Sequence, residues 1–472
     1  MKRMPLILAL VLCTGHAACG GGGGGDRDAD AGDVAPDESI DGVAEPPADT
    51  AGEPASDPAS DPGTDDTPPP GGACEPLPMP TEGIIDVTTA DMGALDSIVA
   101  GASTGETLVL EDGTYTIDGQ VLHFATAGVA LRSASGNREA VVIDANYGSG
   151  EIVLISASDV TIADVTLREA TWHPIHVVST DDHGVTGTLI YNVHVIDPGQ
   201  QAIKVNPHEA RVNFVDDGEV ACSRITMTDD GRPHVSGCYT GGFDAHWARG
   251  WIIRDSIWEG FWCPTGLSEH GIHLWTGSRG TLVERNVLID NARGIGFGLG
   301  ESGVGRTYSD DPCPGAGYVG HFGGVIRNNF IVVTRPEVFS SGSGFDCGIC
   351  VEQACGVQIL HNTVASTQPP ASSSIEWRFS STDAGIKNNL ATHGLLRRND
   401  ASPASLGPAD GNLESASTSL FEDLGAANLH LVSSASDAID QGVALGAGTC
   451  THDIDGDERD SSPDVGADEF TE

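Results

Sequence analysis

The chain has 472 residues, with 68 acidic against 23 basic side chains and a formal net charge of −45. This excess of negative charge disfavours nucleic acid and anionic lipid as partners. It also disfavours a polyanionic substrate, unless basic residues or a bound cation reverse the field locally.

The N-terminus has the pattern of an export signal. Lys2 and Arg3 precede an apolar run at residues 6–12, and small residues lead to Cys19. Residues 16–19 resemble a bacterial lipobox, with His16 where that motif prefers an aliphatic residue. We therefore expect a signal peptide over residues 1–19 and lipidation of Cys19.

Residues 20–73 are rich in Gly, Asp, Glu, Pro and Ala and show no apolar periodicity. Such a segment cannot bury a core, so we expect a disordered, self-repelling tether. No later stretch is long and apolar enough to span a bilayer. These features predict an exported protein, lipid-anchored to a bacterial outer membrane or cell surface, whose only membrane contact is the anchor.

A short helix is predicted next, because Leu95, Ile98, Val99 and Ala102 share one helical face. Beyond it, six segments alternate apolar with variable residues and can be aligned as one strand. They cover residues 174–178, 202–206, 271–275, 294–298, 348–352 and 374–378.

Between these segments recurs an apolar strand followed by a turn that carries Asp or Asn. The turn residues are Asp164, Asn192, Asp255, Asn286, Asn329, Asn362 and Asn389. The repeat is about 27 residues at its shortest, which predicts an all-β solenoid, a parallel β-helix. We expect the seven turn residues to stack rung over rung, with side chains hydrogen-bonded along the axis at about 4.8 Å.

Nine cysteines follow Cys19. Most fall in predicted loops, so disulfides are expected, with Cys222 and Cys238 the first pair because both lie in one insertion. Nine is odd, so at least one thiol stays outside an intramolecular bridge. Cys347 and Cys350 have CxxC spacing without the helix of a redox motif, which favours a structural disulfide or a buried thiol.

The predicted helix leads into a strand ending in Gly113-Thr114-Tyr115, which is similar to the opening of pectate-lyase-like right-handed β-helix proteins. Residues 453–459 and 463–470 resemble the closing segment of exported bacterial β-helix proteins. The resemblance implies one right-handed β-helix domain over residues 84–470, with PbH1 repeats, an N-terminal helical cap and long loop insertions. It does not fix the activity, because lyases, hydrolases, epimerases and adhesins share this coil.

The alternation of the six strands predicts two rows of side chains on the outer face of one sheet. The first row reads His176, Lys204, His273, Gly296, Cys350, Glu376, and the second reads Val178, Asn206, Trp275, Gly298, Glu352, Arg378. Loops at residues 207–249, 258–270, 299–323 and 332–347 enter or leave this sheet, so we expect a groove whose floor it forms. The substrate groove of pectate-lyase-like enzymes lies on the corresponding sheet.

His176, Lys204 and His273 are predicted on successive rungs and are the candidate catalytic residues. Repulsion among two imidazoles and an ammonium would depress their pKa values and supply a neutral base. Alternatively, the row is a solvated surface.

Candidate substrate-binding residues are Asn206, Asp244, His246, Glu269, His270, Trp275, Glu352, Glu376 and Arg378. Five of the seven tryptophans lie between residues 247 and 275, and Trp262 and Trp275 could stack on sugar rings.

No cofactor is predicted with certainty, but two sets of carboxylates could bind Ca²⁺. One is Asp244 with Glu269. The other is Asp453, Asp455 and Asp457, for which a structural network with Arg459 is the alternative.

Three functions remain open. In β-elimination of a uronan, Lys204 or His273 takes the C5 proton while Arg378 or a cation neutralises the sugar carboxylate. In hydrolysis, a carboxylate pair acts as acid and base, either Asp244 with Glu269 or Glu352 with Glu376. The third is a tethered lectin or adhesin. Basic groups on the floor favour elimination over hydrolysis, whereas the acidic chain as a whole favours the lectin or adhesin. We expect a monomeric cell-surface protein that binds polysaccharide and cleaves it by elimination.

Overall fold

A computed structural model describes the chain over residues 74–300, 302–402 and 410–471. The predicted signal peptide, Cys19 and the tether to residue 73 lie outside the described residues. No helix in the described ranges has the length and apolar character needed to cross a membrane.

The coil is a right-handed parallel β-helix, as predicted, and each turn of the chain adds one strand to each of three parallel sheets. One full turn runs through β8 (Thr161–Ala163), β9 (Thr166–Arg168) and β10 (His173–Val178). The chain then returns to pair with β8 again. Short strands rich in β-branched residues suit this geometry, since each pairs on both edges and buries alternate side chains.

Sheet one contains β4 (Leu122–Phe124), β7 (Glu151–Ile155), β10, β14 (Gln201–Asn206), β18 (Gly241–His246), β21 (Ile272–Trp275), β25 (Arg293–Phe297), β29 (Cys347–Glu352), β32 (Ser373–Arg378) and β35 (Leu395–Arg398). Sheet two contains β3 (Gly113–Thr116), β6 (Val141–Asp144), β9, β13 (His194–Ile196), β17 (Arg224–Thr226), β20 (Ile257–Glu259), β24 (Val287–Ile289), β28 (Phe330–Val333), β31 (Thr363–Ser366) and β34 (Leu390–Ala391).

Sheet three contains β1 (Ile84–Val87), β2 (Thr107–Leu110), β5 (Ala130–Ser133), β8, β12 (Leu189–Tyr191), β16 (Glu219–Ala221), β19 (Ile252–Arg254), β22 (Ser278–Arg279), β23 (Leu282–Glu284), β26 (His321–Phe322), β27 (Val325–Arg327), β30 (Ala354–Leu360) and β33 (Asp383–Lys387). Two small sheets pair β11 (Val185–Thr186) with β15 (Val215–Asp216) and β36 (Phe421–Asp423) with β37 (Asn428–Leu431).

The N-terminal end of the coil is closed by a helix, as predicted. A 3-10 helix at Thr89–Ala94 leads into α1 (Leu95–Gly101), which buries Leu95 and Val99 in the core of the first coils. A second short helix, α2 (Pro336–Phe339), lies in the loop between β28 and β29. The cap covers the apolar interior that an open coil end would expose.

Polar side chains do stack along the coil, but the seven predicted turn residues occupy two adjacent turn positions and therefore form two separate columns. Asp164, Asn192 and Asp255 hold the left-handed turn position, with φ of 57°, 50° and 51°. The later asparagines lie one residue further along the chain, where they are hydrogen-bonded to each other and all but the last are buried. We call them the asparagine ladder. It consists of Asn286, Asn329, Asn362, Asn389 and Asn412.

The predicted insertion at residues 207–249 contains a complete additional coil. Its strands β16, β17 and β18 pair in register with those before and after them. The prediction missed this coil because β18 begins with Gly241 and Gly242, which resemble a loop. Gly242 is required by close backbone packing, since a Cβ there would lie 2.2 Å from the carbonyl oxygen of Gly271.

The described part of the chain contains four disulfides, which is typical of an exported protein from an oxidising compartment. They join Cys74–Cys222, Cys238–Cys263, Cys313–Cys355 and Cys347–Cys350. The predicted Cys222–Cys238 pair is wrong because strand β17 lies between the two residues: Cys222 is in the turn between sheets three and two, and Cys238 is in the loop that leads to sheet one. Cys450 is in none of these bridges, and its buried thiol lies 3.3 Å from Oδ1 of Asn328.

The C-terminal segment packs on the outer face of sheet two. Leu420, Leu429 and Val465 form an apolar cluster with outward-facing Phe330 and Val332 of β28. This packing leaves the outer face of sheet one to the loops that follow and precede its strands.

Candidate functional site

The outer face of sheet one carries the predicted row of polar side chains with one residue added. His176 pairs with Lys204, Lys204 with Asp244, and Asp244 with His273. The row continues through Gly296, Cys350 and Glu376 in the predicted register. The expectation that Lys204 and His273 are on adjacent rungs is wrong, because the strand containing Asp244 lies between them.

The centre of this row does not face solvent as predicted. Lys204, Asp244 and His273 are 6%, 2% and 0% exposed. Loops cover them: Tyr239 contacts Lys204, and Glu269 contacts His273. The loops therefore lie across the row as well as beside it, and a solvated row is excluded at these positions.

Four side chains form what we call the lysine cluster: Lys204, Tyr239, Asp244 and His246. Nζ of Lys204 lies 2.6 Å from Oδ2 of Asp244, 3.1 Å from Nε2 of His246 and 3.4 Å from Oη of Tyr239. Burial acts to lower the pKa of Lys204, but the adjacent Asp244 carboxylate outweighs it and raises that pKa above its ordinary value. This raised pKa favours the ammonium form and opposes the predicted role of Lys204 as a neutral base.

Asp244 is held as a carboxylate by its neighbours. Burial acts to raise its pKa, yet Lys204 and His246 keep the pKa well below its ordinary value. Nε1 of Trp275 donates a hydrogen bond of 2.9 Å to Oδ1 of Asp244. Asp244 therefore organises the site by joining the ammonium to the indole, and it is not a freely accessible acid.

His273 is enclosed between Trp275 and His270. Its ring stacks on Trp275 with centroids 5.3 Å apart, and the His270 ring lies at 4.2 Å. Burial acts to lower the pKa of His273, but contact with Glu269 and the charge of Asp244 raise it. Full burial and this raised pKa both oppose the predicted role of His273 as the base that meets substrate.

His176, the third candidate catalytic residue, lies at the edge of the site. Its Nδ1 contacts Oε1 of Glu151, and its Nε2 lies 2.8 Å from Oδ1 of Asn206. Both ring nitrogens are therefore engaged, and one rung of sheet one separates His176 from Asp244.

The far end of the row is an ion-pair network. Arg378 lies 2.6 Å from Glu352 and 3.6 Å from Glu376, and Arg398 lies 3.0 Å from Glu376. Burial raises the pKa of Glu376. Because arginines hold both carboxylates, this pair is poorly suited to the predicted acid and base roles of a hydrolase. Asp244 and Glu269 suit those roles no better, since His273 lies between them.

The partly exposed surface of the site comprises Asn206, His246 and Trp275, with Trp247 beside them. His246 contacts both indoles, with centroids 4.5 Å from Trp275 and 5.5 Å from Trp247. The exposed Arg211 guanidinium lies 4.5 Å from the Trp247 ring. Sequence reasoning missed Tyr239 and Arg211, which lie in loops and follow no strand alternation.

Trp262, by contrast, is not a sugar-stacking surface. It is 5% exposed and lies between the guanidinium groups of Arg232 and Arg335, at 4.0 Å and 5.3 Å from the ring centroid. It joins the loop after β20 to the loop after β28.

The predicted carboxylate set near the C-terminus is dispersed. Asp453 accepts hydrogen bonds from three backbone N–H groups, and Asp455 contacts His430. Arg459 pairs with Glu469 at 3.0 Å. Among the described residues, Asp453, Asp455 and Asp457 do not converge as ligands, and a structural turn is the better interpretation.

Other groups of possible metal ligands do converge. Their ligand atoms lie within 4.8 Å of each other in three sets: Glu269, His270 and His273; His270, Cys347 and Cys350; His430, Asp455 and Asp468.

No protein-family model matches the sequence, and no curated protein matches it. Solved structures do resemble it. An alginate lyase from Paenibacillus sp. str. FPU-7 is 17% identical, with a TM-score of 0.45 over 67% of this chain and 97% of that one. Pectate lyase Pel9A is 15% identical, with a TM-score of 0.48 over 83% and 98%. PfbA, a surface adhesin of Streptococcus pneumoniae, is 12% identical, with a TM-score of 0.41 over 68% and 92%. These similarities concern the fold alone.

Proposed function

We propose that this protein binds an acidic polysaccharide on sheet one and cleaves it by β-elimination. The observation that carries the proposal is the lysine cluster. It holds a buried ammonium in contact with a phenol, a carboxylate and an imidazole, at the edge of a partly exposed aromatic surface. Groups of this kind supply the acid, the base and the positive charge that elimination requires.

His246 is the proposed base. Burial and the Lys204 charge lower its pKa, so the ring is neutral near pH 7. In the tautomer in which Nε2–H donates to Asp244 at 3.1 Å, the lone pair is on Nδ1. Transfer of the C5 proton to Nδ1 forms the C4–C5 double bond and breaks the C4–O bond. Burial raises the pKa of Tyr239, which keeps its proton available for the leaving oxygen.

The sugar carboxylate requires positive charge in a strongly acidic protein. Arg211 supplies it from the loop above, next to Trp247, because the charge of Lys204 is offset by Asp244. The half-buried Trp247 and Trp275 rings offer apolar faces for sugar rings. These residues support an acidic glycan as the substrate class.

The test is to incubate the protein with a panel of uronans and neutral glycans, with and without Ca²⁺, following unsaturated product and reducing ends. We expect unsaturated product from a uronan. His246→Gln and Tyr239→Phe should each lower kcat by about 10² to 10⁴ with little change in binding. His194→Gln, a partly buried histidine on sheet two, is the matched control and should leave the rate unchanged.

Binding without cleavage is the second candidate, and one observation favours it. The groups at the centre of the row, Lys204, Asp244 and His273, are buried and already in contact with partners. If the protein binds a glycan but releases no product under any metal condition, the elimination proposal fails and a carbohydrate-binding or adhesin-like role replaces it.

We further propose that the β-helix domain, residues 84–470, is held at the bacterial surface by a lipid on Cys19, with residues 20–73 as a spacer. The lipobox-like residues and the acidic composition support this. Metabolic labelling with a fatty-acid analogue should mark the wild-type protein but not Cys19→Ser. Equal labelling of the two would refute the anchor.

A further inference from the structure

Glu269, His270 and His273 form a buried group that we call the histidine–glutamate cluster. Their exposures are 6%, 1% and 0%. Oε2 of Glu269 lies 3.2 Å from Nδ1 of His273 and 3.9 Å from Nδ1 of His270. Two ligands of a tetrahedral zinc ion, each bound at about 2.0–2.1 Å, lie about 3.4 Å apart. The spacing of this cluster is thus close to that of a coordination site.

The hydrogen bonding of His273 aims a nitrogen lone pair into the cluster. Its Nε2 lies 3.1 Å from the carbonyl oxygen of Gly298, which can only accept, so Nε2 carries a hydrogen. In the neutral ring Nδ1 is then unprotonated. It faces Oε2 of Glu269 at 3.2 Å and Oδ1 of Asp244 at 3.6 Å. A lone pair opposite two carboxylate oxygens requires a cation between them, either a proton or a metal ion.

His270 distinguishes these alternatives. Neither of its ring nitrogens has a hydrogen-bond partner among the described residues. Leaving a buried polar group without a partner is energetically costly. A proton on His273 would satisfy neither nitrogen of His270, whereas a metal ion would take one nitrogen from each ring.

Other buried histidines of this chain do not share this property. Nε2 of His321 contacts Thr281 at 2.9 Å, and its Nδ1 contacts the carbonyl of Gly323 at 3.1 Å. His361 contacts Asn388 at 2.8 Å and the carbonyl of Gly466 at 3.3 Å. The buried His321 and His361 thus have hydrogen bonds at both ring nitrogens, and the buried His173 has one at Nδ1, to the carbonyl of Gln201.

The strand below the cluster leaves room for the His270 ring. A Cβ at Gly296 would lie 2.6 Å from Cδ2 and Nε2 of His270. Only glycine permits this placement, so the backbone of β25 acts as the floor on which the ring lies. The position of His270 is thus set by sheet one.

We propose that Glu269, His270 and His273 bind a divalent transition-metal ion of the zinc type, through one carboxylate oxygen and one nitrogen of each ring. Two imidazole ligands favour such an ion over Ca²⁺, which prefers oxygen ligands only. The ion joins the loop after β20 to sheet one. Cys347 and Cys350 also lie near His270, but their disulfide removes them as thiolate ligands. The proposed metal site can be tested independently of polysaccharide cleavage, because the test measures metal binding.

The test uses protein purified without chelator or reductant from zinc-supplemented culture. We expect one zinc ion per chain by elemental analysis, and X-ray absorption at the zinc edge should show nitrogen and oxygen donors without sulfur. The latter measurement needs no variant, so it decides the proposal even if a substitution prevents folding. Absence of stoichiometric zinc, or a sulfur donor, would overturn it.

The variants locate the ion. Glu269→Gln and His270→Gln should each weaken zinc binding by more than the roughly 10- to 100-fold cost of losing a group hydrogen-bonded to a ligand. Gly296→Ala should also weaken it by displacing the His270 ring. His321→Gln and the double variant Cys347→Ser with Cys350→Ser are the controls and should bind zinc as the wild type does. Unchanged zinc binding in Glu269→Gln and His270→Gln would refute the site.

Discussion

The asparagine ladder inside the coil and the histidine–glutamate cluster outside it are both buried, but their hydrogen bonding differs. The side-chain NH2 group of each inner asparagine lies within hydrogen-bond distance of two backbone carbonyls and of the next amide oxygen, as that of Asn329 does with Val283, Arg327 and Asn362, so one N–H is shared between two acceptors. His270 in the cluster has no such partner among the described residues. A buried polar group that is fully bonded stabilises the fold, while one that is not requires an explanation such as a bound water or ion.

The largest expected effect comes from breaking the ladder. Asn329→Leu removes the acceptor for the Asn286 N–H and the donor for two carbonyls. At about 1–3 kcal/mol for each buried group, the free energy of unfolding should fall by about 5 kcal/mol. This change in the free energy of unfolding can be measured by denaturant titration monitored by circular dichroism. Asn412→Leu, at the partly exposed end of the ladder, is the matched control and should cost less; equal costs would contradict the ladder.

An intermediate effect is expected in the lysine cluster. Lys204→Met leaves the Asp244 carboxylate without its ammonium, and breaking a buried pair costs about 3–5 kcal/mol. We expect the lower end, about 3 kcal/mol, because Trp275 and His246 still contact Asp244. Adding Asp244→Asn should recover most of the loss. A stability equal to wild type in Lys204→Met alone would show that the pair is solvated.

The same pair predicts a pH dependence. The lowered pKa of Asp244 contributes stability that is present above the carboxyl's unfolded pKa and is lost as pH falls through the folded value. The raised pKa of Lys204 contributes stability that is present below its unfolded pKa and is lost as pH rises through the folded value. The difference in unfolding free energy between wild type and the double variant, measured by denaturant unfolding, should therefore decrease below about pH 4 and above about pH 10. Between these limits the altered pKa values of His246 and His273 also contribute.

The smallest effect is expected at His270. In the presence of a chelator, His270→Leu should change the free energy of unfolding by less than about 1 kcal/mol, because no hydrogen bond is lost. Zinc should then stabilise the wild type and not the variant. A large loss of stability without metal would mean that His270 has a structural partner, and the contrast with the ladder would disappear.

The register of sheet one could be predicted because a shift of one residue would bury charges such as Glu376 inside the coil. The coil that contains Asp244 could not be predicted, since Gly241 and Gly242 lack the side chains on which the apolar alternation depends. The burial of Lys204 also escaped prediction. It depends on Tyr239 and other loop residues distant in sequence, and strand periodicity does not report such contacts.

The ladder shows the limit of pattern alignment. Asp164 and Asn286 occupy adjacent positions in equivalent turns, and both positions favour Asp or Asn, one for backbone conformation and one for side-chain hydrogen bonding. The residue types alone therefore could not show which of the two adjacent turn positions each Asp or Asn occupies.

The disulfide between Cys74 and Cys222 has a mechanical consequence. A pulling force applied to the chain before Cys74 reaches the turn after β16 through a covalent bond, and it does not reach β1 at the end of the coil. Strands at the end of a solenoid would otherwise be peeled off one at a time, each resisting with only its own few hydrogen bonds. The bridge moves the point of load to the middle of the stack, where several coils must shear together before any strand is released.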